Sequence, residues 1–140
     1  MKASRTIYGV FAWLFVAGVI TQVFFAGMVV VAGRWPWANH ASLGHLLAVP
    51  LLVMVITMYS GKLTGRMTRL TWLLFVVYIL QADVLIFMRA SVPVLSALHP
   101  VLALADIVLG VALARQATAI IRAGEAASAP QLQPDGMPGD

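Results

Sequence analysis

Four apolar stretches of membrane-spanning length take up most of this sequence. Two of them, residues 6–33 and 35–61, contain no charged side chain, and two others, residues 70–88 and 90–114, contain one aspartate each. A helix rises about 1.5 Å per residue, so each stretch can cross a hydrocarbon core of about 30 Å. Since 61% of the residues are hydrophobic and only 10% are charged, we predict an all-α transmembrane four-helix bundle.

The predicted spans leave little chain for other structure. We place them at about residues 7–32, 39–60, 69–90 and 93–115. Together they form one transmembrane domain, residues 1–122, whose connections are too short for an extramembrane domain. Residues 123–140 are rich in Ala, Pro and Gly and have no apolar period, which predicts a disordered cytoplasmic tail.

Basic residues are unevenly distributed between the two ends of the predicted bundle. The end with both termini and the middle loop has seven: Lys2, Arg5, Lys62, Arg66, Arg69, Arg115 and Arg122. The other end has only Arg34 and Arg89. Because basic loops stay in the cytoplasm, we expect both termini there, in a multi-pass protein of the bacterial cytoplasmic (inner) membrane. This topology accounts for the net charge of +4, so no nucleic-acid partner is predicted.

Three histidines are the candidate metal ligands, since the sequence has no cysteine and therefore no thiolate site or iron–sulfur cluster. His40 and His45 lie at the start of the second span, and His99 lies near the start of the fourth. An imidazole in hydrocarbon is costly unless it binds something. Counted from the span starts, His45 and His99 lie roughly 8 Å and 12 Å deep, in the same leaflet. Two such imidazoles on separate helices can bind one heme iron from opposite sides.

We therefore predict one heme b per chain in the outer leaflet, with His45 and His99 as axial ligands. The alternatives are another metal or ligand, or plain hydrogen bonds between helices. His40 lies 140° around the helix from His45, so both cannot face His99. His40 is then a solvated helix-start residue, a contact for a heme propionate, a proton donor, or the ligand in place of His45.

Polar residues near the histidines are candidates for the surroundings of the heme. Gln22 and Gln81 either hydrogen-bond between helices or orient the bound ring. Asp83 is expected to be buried, and to be protonated or to accept the second N–H of a ligand imidazole. Asp106 lies two turns beyond His99, where it lines a proton path or caps a polar network.

Two arginines could hold the carboxylates of the heme. Arg34 and Arg89 are the basic residues on the predicted outer side, and guanidinium groups bind carboxylates in a bidentate manner. Anchoring of the helices at the membrane interface explains them equally well.

A weak internal repeat relates the two halves of the sequence. Gln22 lies 18 residues before His40, and Gln81 lies 18 residues before His99. Two helix-pair repeats of this kind put equivalent side chains at the same depth. The local similarity of residues 43–48 to residues 97–103 matches His45 with His99 instead, so the two alignments disagree about the equivalent histidine.

Two short motifs resemble a family of small bacterial four-helix membrane proteins. They are His-x-x-Leu-Gly-His at His40–His45 and Leu-His-Pro at Leu98–Pro100, and the resemblance covers about residues 5–122. That family is similar to one half of heme A synthase, which places histidines of its second and fourth helices around a heme. The resemblance implies His40 or His45 together with His99 as ligands. Asn39 stands before His40, where the synthase carries a glutamate shortly before its histidine, so a heme-oxidising site is not expected.

These observations predict a b-type heme protein for electron transfer, heme sensing or heme carriage. We assign no catalytic residue and expect, besides the lipid bilayer, a quinone or a periplasmic redox protein as partner. One alternative is a heme A synthase-like or quinone-linked membrane oxidoreductase that uses His40 and an aspartate as proton groups. Another is a heme-free accessory subunit of a membrane complex. Small residues such as Gly110 and Ala114 permit close helix contact and leave a homo-oligomer open.

Overall fold

The computed structural model describes residues 1–128, in which the regular structure is helical. The helices are α1 (Lys2–Val30), α2 (Trp37–Leu46), α3 (Ala48–Ser60), α4 (Gly65–Ile79), α5 (Leu85–Met88) and α6 (His99–Ala126), with a π-helical turn at Leu80–Val84 and a 3-10 helix at Pro93–Leu98. This confirms the predicted all-α class.

Within residues 1–128, four helical segments are long and apolar enough to cross a membrane, as predicted. They are Lys2–Val30, Trp37–Ser60, Gly65–Met88 and Pro93–Ala126. The fourth continues well past the expected end at residue 115, because the residues that follow are mostly good helix formers such as Ala, Gln and Arg. The predicted domain boundary at residue 122 therefore falls inside α6. Residues 129–140 of the predicted tail lie outside the described residues.

Pro50 explains why the second span consists of two helices. Proline has no backbone N–H, and its ring crowds the carbonyl four residues earlier, here that of Leu46. Helix α2 ends at Leu46 and α3 begins at Ala48. The segment that carries His40 and His45 is thus separated from α3 by a break in the helix.

The two ends of the bundle differ in what they contain. Arg5 donates from Nε to the carbonyl of Gly61 over 2.9 Å, which ties the start of the chain to the connection between α3 and α4. We call this the Arg5 end. The opposite end contains the connections at residues 31–36 and 89–92, and we call it the histidine end because α2 and α6 begin there.

The core is a narrow column of apolar side chains between the spans. Helix α1 packs mainly against α6 and α3, and α4 packs against α6. The largest fully buried side chains include Tyr8, Phe15, Met54, Leu74 and Leu113. The Tyr8 hydroxyl hydrogen-bonds the Thr71 hydroxyl at 2.6 Å, so each of these two buried hydroxyls has a partner.

Many large apolar side chains are exposed on the outside of the bundle. Phe24, Leu104 and Val108 are each more than 60% exposed. In the most apolar 18 residues of each span, at most 28% of the residues are buried inside the bundle. Apolar surface on this scale is typical of a helix bundle that faces lipid. The packing therefore agrees with the hydropathy pattern in indicating a bundle surrounded by lipid.

Candidate functional site

At the histidine end the structure brings two imidazoles together. The ring centroids of His40 and His99 lie 6.0 Å apart, with an angle of 64° between the ring planes. His40 lies on α2, His99 is the first residue of α6, and both are half-buried. The sequence paired His45 with His99 and left His40 open as the alternative, and the histidine of the second span that lies beside His99 is His40.

Both rings are held by the same kind of hydrogen bond. His40 Nδ1 lies 3.1 Å from the carbonyl oxygen of Gln22, and His99 Nδ1 lies 3.0 Å from that of Gln81. A carbonyl oxygen can only accept, so Nδ1 carries the proton in each ring and donates it. Each Nε2 is then the ring nitrogen whose lone pair can bind a metal ion or accept a hydrogen bond.

The π-helical turn makes the Gln81 carbonyl available. In an α-helix this oxygen would accept from the N–H of Leu85, but that N–H bonds instead to Leu80, one residue further back. The Gln81 oxygen is thus free of its usual helical partner and accepts from His99. Gln22 lies within the regular helix α1, where its carbonyl uses the second lone pair for His40.

His45 does not take the position that the sequence predicted for it. Its Nδ1 bonds to the carbonyl of Ala41 in its own helix at 2.8 Å, and the side chain is exposed. Helix α2 begins at Trp37, so His40 already lies one turn inside the helix and not at its mouth. His40 and His45 are 140° apart around the helix axis, so only one of the two side chains can point toward α6.

The environment of Asp83 also differs from the prediction. Asp83 is exposed, because the π-helical turn changes which residues of the third span point inward. The role expected for its carboxylate, orienting an imidazole, belongs to the main-chain carbonyls of Gln22 and Gln81.

A buried polar pair lies behind His99. Gln81 donates from Nε2 to Asp106 Oδ2 at 2.5 Å; Asp106 is fully buried and Gln81 is 6% exposed. The other oxygens of these two side chains, Gln81 Oε1 and Asp106 Oδ1, have no hydrogen-bond partner among the described residues. The pair connects α6 to the same glutamine whose carbonyl holds His99, so Asp106 belongs to a polar network, one of its two predicted roles.

The Gln22 side chain lies beside a second polar contact, between Tyr78 and Gly44, that the sequence did not predict. A Cβ on Gly44 would lie 2.6 Å from Gln22 Nε2, so the amide packs directly on that glycine. The Tyr78 hydroxyl donates to the Gly44 carbonyl at 2.6 Å. A buried tyrosine usually finds a hydrogen-bond partner for its hydroxyl, so the sequence could indicate that Tyr78 has one. The partner is a main-chain carbonyl, which a pattern of side chains does not identify.

The two arginines that the sequence predicted as heme contacts lie at the histidine end. Arg34 and Arg89 are exposed and lie in or beside the two connections at that end. The Trp37 ring packs edge-on against His40, with centroids 5.6 Å apart. His40 thus packs against both Trp37 and His99, while both arginine side chains are exposed.

The two imidazoles are the candidate metal ligands at this end of the bundle. Within residues 1–128 there is no group of three or more His, Asp or Glu side chains that could hold a metal ion. Chemically, the site offers two imidazoles with free Nε2 atoms.

In a comparison with known protein families, residues 22–88, just under half of the chain, are similar to DUF6220, which is described as a family of unknown function. The matched segment includes Gln22, His40 and Gln81 and ends before His99. No curated protein and no solved structure matches the chain.

Proposed function

We propose that this protein binds one b-type heme in the membrane, with His40 and His99 as its axial ligands. The observation that carries the proposal is the imidazole pair, with centroids 6.0 Å apart and each Nδ1 on a main-chain carbonyl. Metal-binding histidines commonly donate their second N–H to a carbonyl or carboxylate, which fixes the ring and its tautomer. Here that arrangement is present on both rings.

The separation of the rings supports a bis-histidine site. A ring nitrogen binds a transition metal at about 2.1 Å, and the ring centroid lies about 1.1 Å behind that nitrogen for ring bonds of about 1.35 Å. Two imidazoles on opposite sides of one ion are then about 6.4 Å apart, centroid to centroid. The centroids of His40 and His99 are 6.0 Å apart, which is close to this value.

The number of protein ligands favours heme over a bare ion. A protein zinc site takes three or four side-chain ligands, and the described residues offer no such group. Heme supplies four nitrogens of its own and needs only two from the protein. When bound, it supplies one-electron redox chemistry. The chain's own residues orient the imidazoles, and the exposed Arg34 and Arg89 are the groups that would hold the propionates.

We infer that the two ligands are equivalent positions of a repeated helix pair. His99 follows His40, and Gln81 follows Gln22, by the same 59 residues. The same offset relates buried positions of the core, namely Tyr8 with Met67, Phe15 with Leu74 and Met54 with Leu113. A repeat places equivalent side chains at one depth on opposed helices, which favours a site with one ligand from each half.

The distribution of basic residues supports an orientation for this site. With the basic Arg5 end in the cytoplasm, the histidine end lies in the outer half of a bacterial inner membrane. We propose electron transfer with a quinone or a periplasmic redox protein as the role of this heme.

Single-histidine variants test the ligand assignment. Apoprotein reconstituted with heme should bind one heme per chain, and His40→Ala and His99→Ala should each lose the six-coordinate low-spin spectrum. His45→Ala is the matched control, since His45 lies on the same helix but bonds within it. Its spectrum should equal that of the wild type. An unchanged spectrum in His40→Ala or His99→Ala would refute the assignment.

A further inference from the structure

A groove between α1 and α6 combines positive charge with apolar walls. Its volume is about 580 Å³. The groove is lined by Trp13 of α1 and by Val111, Arg115, Thr118, Ala119 and Arg122 of α6. Two of these six side chains are cationic and none is acidic, so the groove is suited to an anion that also has an apolar part.

The groove lies toward the Arg5 end. Helices α1 and α6 run antiparallel, since Gly9 faces Ala117 and Ile121 while Gly110 faces Phe15 and Val16. Arg122 of α6 is therefore close to the level of the start of α1. Because Arg5 bonds to Gly61, this is also the end that carries the connection between α3 and α4.

The depth of the groove corresponds to the membrane interface. Arg115 lies 22 residues after Pro93, where the fourth span begins. The 3-10 helix at Pro93–Leu98 rises about 2.0 Å per residue and the α-helix that follows about 1.5 Å, so this length amounts to about 36 Å. The hydrocarbon core is about 30 Å thick, so Arg115 lies just beyond its boundary and Arg122 two turns further. Tryptophan is enriched at the same level, where the indole can hydrogen-bond. Trp13 does so here, donating to the Thr118 hydroxyl at 3.2 Å.

The two arginines can act on one ligand. They are seven residues apart, which puts them on the same face of α6, about 10 Å from each other along the axis. Both side chains are exposed. A guanidinium group binds phosphate oxygens through two parallel hydrogen bonds, and side chains of this length at an interface reach toward the headgroups.

We propose that this groove is a binding site for an anionic phospholipid. The phosphodiester lies between Arg115 and Arg122, and the first part of an acyl chain lies along Val111 and Trp13. Basic pockets between transmembrane helices bind anionic lipids in this way. A soluble phosphate would use the arginines but not the apolar half of the groove. The proposal is independent of heme binding.

Lipid binding to the full-length protein tests it. Native mass spectrometry in mixed phosphatidylglycerol and phosphatidylcholine should show retention of phosphatidylglycerol, and Arg115→Ala/Arg122→Ala should weaken it more than about tenfold. Arg66→Ala/Arg69→Ala is the matched control. It removes two exposed charges outside the groove and should retain wild-type binding. If the alanine double variant does not fold, Arg115→Gln/Arg122→Gln gives the same comparison with longer side chains.

Two results would overturn the proposal. Equal loss in the groove and control variants would mean that the lipid responds only to overall charge. Displacement of phosphatidylglycerol by inorganic phosphate, with phosphatidylcholine vesicles as the background, would mean that a free anion is the ligand.

Discussion

At the scale of single residues, main-chain carbonyls orient the candidate ligands. His40 and His99 both donate to glutamine carbonyl oxygens, so their orientation depends on where α1 and the π-helical turn place those atoms. The glutamine side chains have other contacts, with Gly44 for Gln22 and with Asp106 for Gln81. The polar groups at this end therefore form two layers, one at the imidazoles and one deeper in the bundle.

The deeper layer predicts a specific coupling between Gln81 and Asp106. Asp106→Ala leaves the buried Gln81 amide without its acceptor, which should lower the free energy of unfolding by about 1–3 kcal/mol. Replacing both residues with leucine should cost less than the sum of the two single leucine variants, because neither polar group is then left unpaired. Reversible unfolding in detergent and lipid micelles measures these differences.

Asp83→Ala is the control for that experiment. Asp83 is exposed, and its replacement should change the free energy of unfolding by less than about 0.5 kcal/mol. Strictly additive losses at Gln81 and Asp106 would contradict the pairing seen in the structure.

At the scale of helices, the closeness of α1 and α6 depends on small residues. A Cβ on Gly110 would lie 2.8 Å from Val16 Cγ2, and Ala114 on the same helix is fully buried. The sequence left open whether Gly110 and Ala114 contact a second chain. Both residues pack inside this bundle. A larger side chain at Gly110 has to push the two helices apart.

Leucine substitutions at two glycines test this packing. Gly110→Leu should lower the free energy of unfolding by about 1–3 kcal/mol through overpacking. Gly27→Leu is the matched control, because nothing lies within 4 Å of a Cβ at Gly27, and it should be neutral or slightly stabilising. Thermal unfolding of both variants in the same detergent makes the comparison, and equal effects would contradict the α1–α6 contact.

At the scale of the whole molecule, hydropathy was enough to predict four spans, but not to choose between His40 and His45. Each span is set by length and apolar composition, which are local properties. The choice of histidine depended on the first residue of α2 and on the position of the Gln22 carbonyl, which lies 18 residues earlier in the chain. The π-helical turn at Leu80–Val84 has no pattern of its own in the sequence, so the exposure of Asp83 could not be predicted from a regular helix.

Topology is a further prediction at this scale. The chain has no cysteine, so single Ser60→Cys and Ser91→Cys variants each introduce one exposed thiol, at the Arg5 end and the histidine end respectively. If the Arg5 end is cytoplasmic, a membrane-impermeant maleimide added to intact cells should label Ser91→Cys and leave Ser60→Cys unlabelled until the membrane is opened. The reverse labelling would invert the proposed orientation.

The most direct test of the His40–His99 site is the visible spectrum of the wild-type protein titrated with heme. Saturation at one heme per chain, a low-spin ferric spectrum and sharp split α and β bands after reduction are the results expected for two imidazole ligands. A protein that stays colourless, or a high-spin spectrum with an open coordination position, would contradict the account.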